Sequence, residues 1–192
     1  IEQSAIEIWD DVQQLIKKIL KKNNIKTSQI ISIGISNQRE TTVLWDKNTG
    51  IPVHNAIVWQ DRRTVEICNN LHERKLDKAI QEITGLVIDP YFSATKIKWI
   101  LDNNSDARRL AKEKNLLFGT IDTWLLWNLT EKASHLTDIT NASRTMLFDL
   151  NKEEWSLDLL KILDIPKEIL PKVVENTFNF GNTKLFGSSV PI

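Results

Sequence analysis

From Ala5 to Leu20 the apolar positions fall at steps of three and four: Ala5, Ile8, Trp9, Val12, Leu15, Ile16, Ile19 and Leu20. That is the period of an amphipathic helix, and the pattern predicts one over residues 2–22. Lys17, Lys18, Lys21 and Lys22 crowd its end, where cations favour the negative pole of the helix dipole. The pattern then changes. Ile30–Ser36 is apolar and β-branched enough to predict a buried strand. Thr41–Trp45 predicts a second strand, Asp46-Lys47-Asn48-Thr49-Gly50 a turn with Gly50 at positive φ, and Val53–Trp59 the returning arm of a hairpin.

Helical spacing resumes at Arg62 and runs to Glu73, with Val65 and Cys68 inward. A short helix over Leu76–Ile83 stops at Thr84-Gly85, glycine being the common terminator. Ser93 is placed to cap a helix reaching Asp102, with Ala94, Ile97, Ile100 and Leu101 on one side and Phe92 and Trp99 on another, so that two faces are covered. Asp106–Lys114 predicts a charged, exposed helix, Leu116–Phe118 a short strand, and Thr120 the cap of a helix over Ile121–Leu129. Residues 131–150 fit neither period. Leu157–Leu163 predicts a helix that Ile165-Pro166 ends. Helices alternating with strands mean α/β architecture, and no internal repeat, low-complexity tract or flexible linker interrupts it.

Composition narrows the classes. A chain of 192 residues is long enough to bury a core of its own. Its 25 basic and 25 acidic residues cancel, so no nucleic acid or anionic membrane is expected as partner. A single cysteine, Cys68, excludes an internal disulfide, and no apolar run reaches membrane-spanning length, so a cytoplasmic setting is expected. The only methionine is Met146, and the sequence opens inside a helical pattern and stops as another apolar segment begins at Val190. The expectation is a piece of a longer protein.

Several chemistries are missing. The six glycines form neither a Walker-type phosphate loop nor a dinucleotide fingerprint. His54, His72, His135 and Cys68 lack zinc-site spacing. Ser134-His135 near Asp138 lacks a nucleophile elbow, His72 is expected in solvent and Cys68 in the core. What stands out is Asn37-Gln38-Arg39-Glu40-Thr41-Thr42 at a predicted strand end, where ligands bind in open α/β sheets. A guanidinium and a carboxylate side by side offer the donors and acceptors that a small neutral polyol needs. A solvated surface ion pair is the competing reading. Most of the seven tryptophans, such as Trp9 and Trp124, sit at core spacing. Trp59 stands at a strand-to-helix turn instead, and Tyr91, the only tyrosine, lies in a loop just before a helix.

Taken in order, Ile33–Thr42, Asn55–Arg63, Thr84-Gly85-Leu86, Asp89–Lys96, Leu117–Trp124, Thr137-Asp138 and Asn141–Met146 resemble the glycerol kinase family, within the FGGY carbohydrate kinases. Tyr91-x-Ser93-x-x-Lys96-Ile97-x-Trp99-Ile100-x-Asp102-Asn103 resembles the first signature of the wider group. The resemblance implies an actin-like ATPase, ribonuclease H-like α/β fold with a mixed sheet flanked by helices. Residues 1–192 would be part of the N-terminal, substrate-binding domain, with the C-terminal nucleotide-binding domain outside the chain. It implies transfer of a phosphoryl group from ATP, with Mg²⁺, to glycerol, giving sn-glycerol 3-phosphate.

By the same resemblance Arg39 and Glu40 would bond adjacent hydroxyls, Tyr91 a further one, and Trp59 would pack against the carbon chain. The resemblance puts the phosphate-contacting hairpin before Ile1 and the base aspartate after Ile192, so no catalytic, cofactor-binding or metal-binding residue is expected within the chain, nor ATP or Mg²⁺ bound to it. Family regulation by fructose 1,6-bisphosphate or by histidine phosphorylation is not expected, because Gly187–Val190 lacks an arginine and no histidine follows His135. The 192-residue chain is expected to be inactive alone and to bind glycerol weakly, with homo-oligomerisation plausible through uncovered core surface. The alternatives are a kinase for another small polyol or sugar, and a remnant without catalysis.

Overall fold

The computed structural model describes all 192 residues, as eight α-helices and five two-stranded sheets. The helices are α1 (Ala5–Lys22), α2 (Val65–Glu73), α3 (Asp77–Thr84), α4 (Ser93–Asn103), α5 (Ser105–Lys112), α6 (Ile121–Leu129), α7 (Ile139–Ala142) and α8 (Leu157–Leu163). Helix α1 begins three residues later than its periodicity suggests. Ser4 caps it, accepting from the Glu7 N–H at 3.2 Å. Glu2–Gln3 instead pairs antiparallel with Ala56–Ile57.

The longest ladder joins Val43–Asp46 antiparallel to Leu116–Gly119 and runs through the middle of the molecule. The expected hairpin after Gly50 survives as two single bridges, Thr42 with Ile57 and Trp45 with Pro52, and Gly50 sits at φ 77° as the turn requires. Leu136–Asp138 runs parallel to Lys172–Val174, while Phe148–Asp149 and Glu154–Trp155 form a small antiparallel arm. Residues 131–150, which fit neither period, therefore hold a strand, the short α7 and half of that arm.

Around the central ladder lie two cores. One gathers Leu44, Ile57, Ile97, Ile100, Phe118 and Phe148 about α4. The other packs Ala5, Val43 and Trp45 against Trp124 and Trp127 of α6. Trp45 and Trp124 meet edge to face with centroids 5.2 Å apart, and the Trp124 indole donates to the Ala5 carbonyl at 2.8 Å, tying α1 to α6. Trp9 is only half-buried.

The predicted strand Ile30–Ser36 is not a strand. Its one bond to another segment's backbone runs from the Ile33 N–H to the Pro191 carbonyl at 2.9 Å, and no ladder forms on either side. An apolar β-branched run becomes a strand only where neighbouring backbone supplies partners, and here its neighbours are side chains. Ile30, Ile33 and Ile35 face Val12 and Ile16 of α1 across an apolar groove, and Ile31 is left 88% exposed.

Candidate functional site

Four short connections carry the singled-out side chains. The first is the turn Gln38–Thr41, closed by the Thr41 N–H on the Gln38 carbonyl. It sends Arg39 and Glu40 to different environments. Arg39 is exposed, lines a cleft of about 670 Å³ with Asn37, Asp122 and Asp138, and has no protein partner for its guanidinium. Glu40 is buried, 4% exposed. The two do not pair with each other, so the surface ion pair is overturned. A carboxylate out of water needs a counter-charge, and Glu40 finds it far away in sequence: Arg144 Nε donates to its Oε1 at 2.8 Å. Glu40 Oε2 has no protein donor.

Ser93 was expected to cap α4. Phe92 occupies the cap position and the Ser93 hydroxyl donates to the Glu40 carbonyl at 3.1 Å instead, pinning the Glu40 backbone to the first turn of α4. That is a non-local contact, invisible in the local pattern.

The second connection follows Ala56–Ile57. The Asp61 N–H closes a turn on the Val58 carbonyl at 2.9 Å, and Trp59 projects from it, 37% exposed. Asp61 fixes the turn's far side, accepting from the Arg63 backbone N–H at 2.9 Å and from its Nε at 2.8 Å. Burial acts to raise the Asp61 carboxyl, and the side-chain and backbone hydrogen bonds from Arg63, with its charge, act against it and hold it well below the usual range.

The third connection carries Tyr91. Asp89 accepts from the Tyr91 N–H at 2.8 Å and from Arg62 Nη1 at 3.1 Å. The loop's carbonyls converge on one cation: Lys96, fully buried, donates from Nζ to the Pro90, Tyr91 and Phe92 carbonyls at 2.8, 2.5 and 3.1 Å. An ammonium has three donors, and all three are used. Burial pulls Lys96 down to about 8 even though Glu40, Asp61, Asp89 and Cys68 act in the opposite direction. The Tyr91 ring meets Trp59 edge to face at 5.4 Å, and its hydroxyl makes no hydrogen bond within the protein.

The fourth connection, Ser143–Leu147, follows α7. Asp138 caps α7, accepting from the Asn141 N–H at 2.9 Å, and the Thr145 carbonyl accepts from the Ala94 N–H at 2.8 Å, seating the loop on the start of α4. Arg144 reaches back from there to Glu40. Its guanidinium carbon lies 5.7 Å from the Tyr91 ring centre and 5.1 Å from that of Phe92. Glu40, Arg144, Tyr91 and Trp59 thus form one chain of contacts, whereas Arg39 lines a cleft that none of these four residues lines.

Sequence reasoning missed Arg144 and Lys96 as site residues. Both lay inside the resembling segments, and an arginine and a lysine within otherwise neutral or apolar runs were the available signal. No group of three His, Cys, Asp or Glu side chains is arranged to hold a metal ion. His135 is no part of a triad: it is half-buried and its ring hydrogen-bonds the Phe118 carbonyl through Nε2 at 2.8 Å. Cys68 is a core residue, and His72 is exposed beside Asp77. No helix is long and apolar enough to cross a membrane.

Comparison with known proteins identifies the family. Residues 1–188 match the model of the FGGY family of carbohydrate kinases, N-terminal domain. Glycerol kinase 1 of Clostridium tetani is 53% identical over 194 residues, spanning all of this chain and 39% of its own length. The crystal structure of Plasmodium falciparum glycerol kinase with ADP superposes with a TM-score of 0.93 at 37% identity, covering 100% of this chain and 39% of that one. A ligand-bound xylulose kinase from Lactobacillus acidophilus gives 0.83 at 25% identity, covering 99% and 39%. The chain therefore spans about two fifths of the length of these proteins, and the expected α/β class is the one they share. This chain belongs to the FGGY family of carbohydrate kinases, and what it matches there is the N-terminal domain.

Proposed function

We propose that this chain supplies the glycerol-binding side of an ATP:glycerol phosphotransferase. The observation that carries the reading is the state of three polar groups. The Arg39 guanidinium, Glu40 Oε2 and the Tyr91 hydroxyl all lack protein partners, while the Gln38–Thr41 turn, the Ser93 hydroxyl and Asp89 hold the backbone they start from. Two donors and an acceptor beside an aromatic face match a short polyol, whose hydroxyls need both kinds of partner and whose C–H groups pack on a ring. Arg39 donates to one hydroxyl, Glu40 accepts from its neighbour, Tyr91 bonds a third, and Trp59 covers the carbons. The names of the relatives most alike in sequence support glycerol over a pentulose.

ATP and Mg²⁺ belong to the proposed reaction of the longer protein. The chain offers no group of three His, Cys, Asp or Glu side chains arranged to hold a metal ion by itself. What these residues contribute is orientation of the acceptor hydroxyl, which by itself accounts for a large part of a phosphoryl-transfer barrier. The same proposal has residues 1–192 as part of a substrate-binding domain with the nucleotide site elsewhere, a cytoplasmic setting, and association of copies through the apolar surface that Leu15, Ile19 and Ile31 leave open.

The test has two arms. The gene product that contains this chain should form ADP from ATP with glycerol, and more slowly with dihydroxyacetone, erythritol or a pentulose. The 192-residue chain should form none, yet titrate weakly with glycerol as followed by the Trp59 indole N–H resonance. Preference for a pentulose moves the reading to another sugar kinase. No turnover by the longer product with any of these substrates favours the remnant.

A further inference from the structure

Arg39 and Glu40 are adjacent in the chain and opposite in charge, yet they remain apart, and Arg144 is the reason. We propose that Arg144 is a positioning residue: it holds one oxygen of Glu40 so that the other, and the whole Arg39 guanidinium, stay free for adjacent hydroxyls of a substrate. The inference rests on the glycerol reading and goes beyond it by naming a residue that no contact with substrate would reveal.

Three observations support it. Glu40 is 4% exposed, so its carboxylate must be compensated inside the protein. Arg144 compensates it through Nε alone, at 2.8 Å to Oε1, a single-point contact that leaves Oε2 open where a two-pronged clamp would occupy both oxygens. And Arg144 has little freedom to swing away. Its backbone N–H bonds the Asn141 carbonyl at 3.1 Å, the next residue's carbonyl is fixed by the Ala94 N–H, and its guanidinium lies against Tyr91 and Phe92. One side chain thus sets the carboxylate and braces the tyrosine.

Without Arg144 the cation with uncommitted donors next to Glu40 in the chain is Arg39, because Lys96, which also feels the Glu40 charge, has all three donors on carbonyls. Glu40 then draws Arg39 in, donor and acceptor satisfy each other, and the site loses both groups at once. A purely structural role predicts lower stability with an unchanged Arg39. The positioning role predicts that Arg39 itself changes partner.

The experiment uses the 192-residue chain labelled with ¹⁵N. Glycerol is titrated to roughly 1 M, a range in which binding much weaker than millimolar still registers, into wild type, Arg144→Gln and Arg144→Lys. The Trp59 indole and the arginine Nε–H resonances are followed. Expected are a loss of about tenfold or more in glycerol affinity for Arg144→Gln, a partial rescue by Arg144→Lys, and a downfield, slowly exchanging Arg39 Nε–H signal that appears in Arg144→Gln without ligand. If Arg144→Gln does not fold, Arg144→Lys carries the test through its intermediate affinity and its Arg39 resonance. Equal glycerol affinity in all three proteins overturns the inference and leaves the glycerol reading standing. An Arg39 signal that does not move in a folded variant overturns it too. Wild type that shows no response to glycerol removes the glycerol reading, and the inference with it.

Discussion

Replacing Lys96 with methionine keeps the length and apolar stem of the side chain and removes its ammonium. Three carbonyls, of Pro90, Tyr91 and Phe92, then lose a donor. Hydrogen bonds from a charged group contribute roughly 1.5–3 kcal/mol each. Against them stands the cost of taking the ammonium out of water. Burial lowers Lys96 from an ordinary 10.5 to about 8, which corresponds to about 3 kcal/mol. Three carbonyls left with no donor at all cost roughly 1–3 kcal/mol each, together more than the burial cost that leaves with the ammonium, so Lys96→Met should lose about 2–4 kcal/mol near neutral pH.

The sign of the pH dependence follows from the lowered value of Lys96, in which burial outweighs the pull of Glu40, Asp61, Asp89 and Cys68. Between about 8 and 10.5 the unfolded chain still holds the proton that folded Lys96 has released. Stability attributable to this group therefore rises with pH across that window, by up to about 3 kcal/mol. Urea denaturation followed by tryptophan fluorescence, run on both proteins at intervals from about pH 7 to pH 10, isolates the effect, because every other titration cancels in the difference. Wild type should gain on the mutant as pH rises. A stability difference that is flat from pH 7 to 10 would refute the reasoning, as would a mutant no less stable than wild type at pH 7.

Three further outcomes can be checked on the same chain. His135 is pulled down to about 4 by burial, partly offset by its bond to Phe118; the unfolded chain takes up a proton near 6.5 that the folded one refuses, so stability should fall by up to about 3 kcal/mol as pH drops from 6.5 to 4, and His135→Gln should flatten that part of the urea profile. A methyl group on Gly119 would stand 2.6 Å from Thr123 Cβ and 3.0 Å from Trp45 Cη2, so Gly119→Ala should cost about 1–3 kcal/mol by calorimetry. Burial, reinforced by Asp89, pushes the Cys68 thiol up to about 11, so a thiol reagent at pH 8 should label it only as the protein unfolds.

The parts of the fold that were legible in the sequence are those settled within a few residues. The end of α3 is one: Gly85 adopts φ 69°, which a side chain resists, and its N–H bonds the Gln81 carbonyl at 2.8 Å. The span of α8 before Pro166 is another. The span of α5 was legible but its environment was not: its charges suggested an exposed helix, yet Ala107, Leu110 and Ala111 are buried beneath them. Pairing was the least legible. Val43–Asp46 was readable as a strand, but its partner Leu116–Gly119 lies some seventy residues on, and no local pattern selects one apolar strand over another. The same limit misled over Ile30–Ser36, whose composition is that of a strand and whose surroundings offer it one backbone bond.

The site divides along the same line. Arg39 and Glu40 drew notice as neighbours, and being neighbours suggested that they neutralise each other. Their separation depends on a contact spanning 104 residues, from Glu40 to Arg144, and on a second across 53, from the Glu40 carbonyl to Ser93. In the proposed site those two contacts are what make an ordinary turn fit to bind. One removes the need for Glu40 to seek Arg39, and the other fixes the backbone from which both side chains start. Trp59 and Tyr91 follow the same logic: each is an isolated aromatic in sequence, and Asp61 on one side and Lys96 on the other hold them edge to face. On the proposed reading, function at this site would depend less on the residues that touch a ligand than on Arg144, Ser93, Asp61 and Lys96 behind them, each committing its polar groups to the protein so that Arg39, Glu40 and Tyr91 need not.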